Sequence, residues 1–211
     1  MTTTLNTTTP AAHTAQAAPA WLSGAAFAGA AGISSIALFD AATHGLTGAY
    51  SQFADGNGSW LFILGTLVHG LGYLALAAVL FLRSRDIDGG SGAVRWFRRL
   101  TAVCFAALGA VFLIGTFVHG PLMDEVGSAI GGVTFFGMFL FGAALGISLL
   151  ATRRRTPAAW TLTAILSAAA LLVLLALVAP DWAHPAYPET AVHFGAALLV
   201  LPQPRSGRRL A

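Results

Sequence analysis

Apolar stretches of membrane-crossing length recur along this chain, and short arginine clusters separate them. A hydrocarbon core ~30 Å thick is crossed by ~20 helical residues at ~1.5 Å each. Lipid offers no partner for backbone N–H and C=O groups, and unbroken apolar stretches of this length are expected to satisfy them internally as helices. The pattern predicts an all-α, polytopic transmembrane bundle with six spans, at about 21–44, 59–82, 97–120, 126–151, 159–179 and 188–202. The sixth is short: Pro188 can open it and Pro202 limits its far end. Residues 1–20, rich in threonine and alanine and without arginine or lysine, read as a disordered tail without the basic start of a signal peptide. The membrane domain then covers 21–202, and 203–211 form a basic tail.

Composition supports the same class. Hydrophobic residues make up 56% of the 211 residues and charged residues 9%, with no lysine. A soluble globule carries roughly 25% charged residues, so a soluble enzyme, a nucleic-acid partner and a disordered chain are all disfavoured. Cys104 is the single cysteine, which leaves no intrachain disulfide and no CxxC motif.

The arginines set an expected orientation. Arg83, Arg85, Arg95, Arg98 and Arg99 lie between spans two and three, and Arg153, Arg154 and Arg155 between four and five. Arg205, Arg208 and Arg209 follow span six. Six crossings with both termini cytoplasmic put all 11 arginines inside, as the positive-inside rule requires of a multi-pass protein of the cell membrane. Trp21, Trp96 and Trp160 then fall at inner boundaries, and Trp60 and Trp182 at outer ones. Asp55, Asp124, Glu125, Asp181 and Glu189 fall in acidic outer loops. Glycine series such as Gly132, Gly137, Gly142 and Gly146 are expected to pack helices closely.

The feature that bears on function is a repeat. Residues 61–70 read LFILGTLVHG and residues 111–120 read VFLIGTFVHG, identical at six of ten positions. Thr190-Ala-Val-His193 echoes it, and span one ends in Asp40-Ala-Ala-Thr43-His44-Gly45. Counting residues from the expected outer boundary puts His44, His69, His119 and His193 in the outer half of the bundle. Ionisable groups inside a bilayer are costly and usually face the bundle interior, so these four are the candidate ligands. Thr66 and Thr116, one turn before two of them, can bond a ring or a backbone carbonyl. Asp40, four residues from His44, can orient that imidazole.

Neutral imidazole binds haem iron, zinc and copper. The leading expectation is therefore a histidine-lined site for haem b or a transition metal (Zn or Cu), used for electron transfer, with His69, His119 and His193 as the metal set. Glycines beside His69 and His119 are expected to give a macrocycle clearance. In outline this is similar to the six-helix cytochrome b561-type proteins, although that family carries haem near both membrane faces and these histidines lie at one. Three alternatives stand beside it: a non-catalytic accessory subunit, a metal or proton transporter, and a metal-dependent membrane hydrolase. A homo-oligomer or a redox partner fits any of them. His13 and His184 are expected to be dispensable, with His184 as a flexible extra ligand.

Overall fold

The computed structural model describes residues 19–54, 59–118 and 120–202. The elements are α1 (Ala20–Thr47), α2 (Trp60–Leu82), α3 (Ser84–Asp88), α4 (Gly92–Phe117), α5 (Pro121–Ala151), α6 (Pro157–Thr163), α7 (Ile165–Val178) and α8 (Ala186–Leu198). One 3-10 turn, Pro180–Trp182, precedes α8. Local chemistry starts these helices. Ser59, Ser91 and Thr156 accept the backbone N–H groups of Phe62, Val94 and Ala159 as N-caps. Pro121 opens α5 and Pro157 opens α6, at positions whose N–H would lack a helical partner anyway. Gly48 closes α1 in the left-handed conformation, its N–H on the carbonyl of His44.

Five helices are long and apolar enough to cross a membrane: α1, α2, α4, α5 and the run Pro157–Val178. In that run only Ala164 separates α6 from α7, and the bonds Ala164 N–H to Trp160 O and Ala168 N–H to Ala164 O carry the helix through. Their outer surfaces are apolar, with Phe117, Val133 and Leu177 each more than 70% exposed. Exposure on that scale suits lipid and not water. All five tryptophans also lie on the outside of the bundle.

The expected sixth span is α8, 13 residues long, and it is the most enclosed helix of the set. It packs on α1, α6 and α7 and also touches α2 and α5. Helices close in on one another at glycines. A Cβ on Gly29 of α1 would lie 2.9 Å from the Gly72 Cα of α2. One on Gly109 of α4 would lie 3.0 Å from the Gly70 carbonyl oxygen. Gly137, Gly142 and Gly146 are similarly filled by Cys104, Val192 and Thr163, whereas Gly132 faces open space.

The connection expected between spans two and three folds into α3 and the first turn of α4. Its arginines do more than set charge. Arg98 is buried, donates to both oxygens of Asp88 at 2.6 and 3.1 Å, and donates to the Leu80 carbonyl at 2.7 Å. Arg154 donates to the carbonyls of Asp86 and Ile87, capping the short α3 from the loop after α5. The Arg154 guanidinium lies where a Gly89 side chain would stand, and Gly89 has φ +50°. Two loop assignments at the opposite end also change. Asp124 and Glu125 lie within α5 and not before it, because Pro121 starts that helix. Glu189 lies in α8 and not in a loop.

Candidate functional site

Four helices meet at a polar cluster inside the apolar bundle. Ser34 comes from α1, His69 and Tyr73 from α2, Phe105 and Phe112 from α4, and Glu189 and His193 from α8. The helical period explains the set. Residues four apart share a face, so His69 and Tyr73 project together from α2, and Glu189 and His193 together from α8. Tyr73 lies thirteen residues into α2, ~20 Å along the axis, so the cluster is nearer mid-depth than the boundary.

Tyr73 is fully buried and donates its hydroxyl to Glu189 Oε1 at 2.8 Å. His193 is fully buried on the same helix, its Nδ1 3.3 Å from Ser34 Oγ. Among the described residues His193 Nε2 has no hydrogen-bond partner, and it lies 4.0 Å from Glu189 Oε1. His69 Nδ1 donates to the Gly65 carbonyl at 2.8 Å, which in the neutral ring leaves Nε2 as the lone-pair nitrogen. Phe112 stacks on His69 with ring centroids 5.1 Å apart. Tyr73 touches both imidazoles, at 6.1 Å from His69 and 5.4 Å from His193. Two histidines on different helices therefore share one aromatic neighbour, and neither Nε2 has a hydrogen bond among the described residues.

A second cluster joins the end of α1 to the segment before α8. Asp40 Oδ1 accepts the Ser51 N–H at 2.7 Å, and Oδ2 lies 3.2 Å from His184 Nε2. The Ala186 N–H donates to His184 Nδ1 at 3.2 Å. One tautomer satisfies both contacts, the neutral ring with its proton on Nε2 toward Asp40. Burial pushes this imidazole below its ordinary value, with the Asp40 carboxylate opposing and His44 adding to the lowering. His44 itself donates from Nδ1 to the Asp181 carbonyl at 2.7 Å and lies against Tyr50.

The expected pairing of Asp40 with His44 is thus replaced by Asp40 with His184. Helical spacing puts Asp40 and His44 on one face, but the 3-10 turn brings Asp181 to His44 and the following loop brings His184 to Asp40. His184, expected to be flexible, is fixed at both ring nitrogens. Thr66 and Thr116 donate to carbonyls of their own helices, Thr66 to Phe62 and Ile63 and Thr116 to Phe112. His119 lies outside the described residues. The space beside the α2 glycines is taken: Phe53 fills it at Gly65, Leu113 at Gly70 and Ile33 at Gly72. Among the described residues, no group of three or more His, Cys, Asp or Glu is placed to hold a metal ion.

The sequence marks His44, His69, His119 and His193 as candidate ligands and puts Tyr73 on the His69 face without a role, and Glu189 is counted with the outer-loop acids. The signal for both was present as i, i+4 spacing to a chosen histidine, Glu189 to His193 and His69 to Tyr73. Assigning Glu189 to a loop hid it. The chain matches no family model, and no curated protein or solved structure is significantly similar to it.

Proposed function

We propose that this is a six-span protein of the cell membrane, arginine-rich end in the cytoplasm, whose working centre is a buried proton-exchange site. Glu189 and His193 hold one exchangeable proton between them, and Tyr73 and Ser34 fix their orientation. The observation that carries this reading is the fully buried His193 Nε2, which has no hydrogen-bond partner among the described residues and lies 4.0 Å from Glu189 Oε1. A buried polar atom left unpaired costs about 1–3 kcal/mol. A proton shared with Glu189 removes that cost, and only a small closing movement is needed. Intramembrane carboxylates and imidazoles are the groups that membrane proteins use for proton exchange. Toward the arginine end the described residues offer no further carboxylate or histidine before Asp86 and Asp88. The site therefore exchanges with the outer side and is not one stage of a relay across the membrane.

Infrared difference spectroscopy of the whole protein between acid and alkaline pH tests this. A buried protonated carboxyl band that changes with pH and vanishes in Glu189→Gln is the expected result. If the band is absent, or persists in Glu189→Gln, the reading fails.

A second reading has its own support. Among the described residues neither His69 Nε2 nor His193 Nε2 has a hydrogen-bond partner, as suits histidine ligands of haem or of a transition metal. In this reading His119 and His44 complete the set, and the use is electron transfer. It requires the packing at Gly65, Gly70 and Gly72 to open. Visible spectra of the oxidised and reduced protein, with elemental analysis for zinc and copper, decide it. A colourless, metal-free protein excludes it.

A further inference from the structure

Most glycines inside this bundle are there because something occupies the space a side chain would take. At Gly29, Gly70, Gly72, Gly109, Gly142, Gly146 and Gly195 a Cβ would meet a neighbour within 3.0 Å. Between the last turns of α4 and the first turns of α5 the opposite holds. A Cβ on Gly115 would meet nothing within 4 Å, and one on Gly127 or Gly131 would only reach Val111, at 4.0 and 3.7 Å. These glycines do not bring the helices together. They leave a cleft of about 420 Å³, lined by Val111, Ile114 and Gly115 on α4 and by Asp124, Gly127 and Ser128 on α5. That volume is within the range of small-molecule sites, roughly 300–1,000 Å³.

The lining is apolar apart from Asp124 and Ser128. They are four residues apart on α5 and share a face with Gly127 and Gly131. Asp124 lies in the first turn of α5, where the helix dipole favours a negative charge. Its side chain has no ion-pair or hydrogen-bond partner among the described residues, and no described arginine lies at this end of the bundle. An apolar slot whose polar end is an exposed carboxylate with no partner among the described residues is complementary to an apolar cation.

We propose that the α4–α5 cleft binds an apolar molecule bearing a protonated amine, its hydrocarbon body between the helices and its ammonium group on Asp124. The glycines at positions 115 and 127 give the body its room, and Asp124 selects the charge. An anionic amphiphile of the same length meets repulsion at the same carboxylate. This site is separate from the Glu189–His193 centre, and its test does not depend on that reading.

The test uses the full chain in phosphatidylcholine nanodiscs, with decylamine and decanoate as probes and the melting temperature as the readout. Decylamine is expected to raise the melting temperature saturably, and decanoate is not. Asp124→Asn should weaken the decylamine response about fivefold, the scale of one partly exposed ion pair. Asp181→Asn, which removes an acid at the same end outside the cleft, should leave it unchanged. Gly115→Leu fills the slot and favours the helix, so it should abolish the response without lowering the ligand-free melting temperature. Equal responses to the two probes overturn the proposal, as does a full response in Gly115→Leu. A co-purifying phospholipid that decylamine fails to displace also overturns it and makes the cleft a lipid seat.

Discussion

Single polar atoms decide how the centre of this bundle is arranged. The Tyr73 hydroxyl donates to Glu189, and both side chains are buried. Tyr73→Phe keeps the ring contacts with His69, Phe105 and His193 and removes only that donor. The variant should lose about 1–3 kcal/mol of stability, the cost of a buried acceptor left short of a partner. Chemical denaturation in detergent measures it, and an unchanged midpoint would mean that Glu189 has another donor. His184 makes a pH-dependent contribution. Its imidazole is held below the usual 6.5 by burial, so the folded state takes up a proton less readily than the unfolded chain. The stability this provides is complete above that unfolded value and is lost as the pH falls below it. Melting temperature should therefore drop between about pH 7 and pH 5, and less steeply in His184→Gln. Equal slopes in the two proteins would rule out a linkage through His184.

At the scale of elements, backbone approach sets the geometry. The α1–α2 contact rests on Gly29 facing Gly72, where a Cβ would meet backbone that cannot rotate away. Gly29→Ala should cost about 1–3 kcal/mol through overpacking. Gly24→Ala, on the same helix but with nothing within 4 Å of its Cβ, should be neutral or stabilise by up to about 1 kcal/mol. Paired melting curves check the contrast, and similar losses in both variants would contradict the close approach. Glycine spacing in the sequence announced tight packing somewhere but not which glycines are filled. Gly142 and Gly146 are filled by Val192 and Thr163, whereas Gly132 from the same series is not. Neighbours from other helices make that choice, and periodicity carries no record of them.

For the whole molecule, the arginines set the number of crossings to expect. Five helices have the length and hydropathy to span a membrane, and α8 completes the bundle from within at 13 residues. Six crossings place Arg205, Arg208 and Arg209 in the cytoplasm with the other arginines. A reporter active only in the cytoplasm, fused to the C-terminus, should therefore work. A silent reporter on a well-expressed fusion would mean that α8 enters the bundle and does not cross.

The sequence alone determined the class of this protein. Unbroken apolar runs of membrane-crossing length between arginine clusters favour helices over the alternating strands of a barrel, and the starts of α2 and α6 fall within two residues of expectation. It also marked His69 and His193, because a histidine on an apolar helix stands out in one dimension. Which residues stand beside them was decided by tertiary structure. Glu189 joins His193 because α8 begins at Ala186, inside the bundle, and Tyr73 reaches it from α2. Asp40 pairs with His184 across 144 positions and not with His44 four residues away. The physical reason is the same in both cases. A buried polar group takes whichever partner the packing of separate helices delivers, and spacing along one helix limits that choice only to a face.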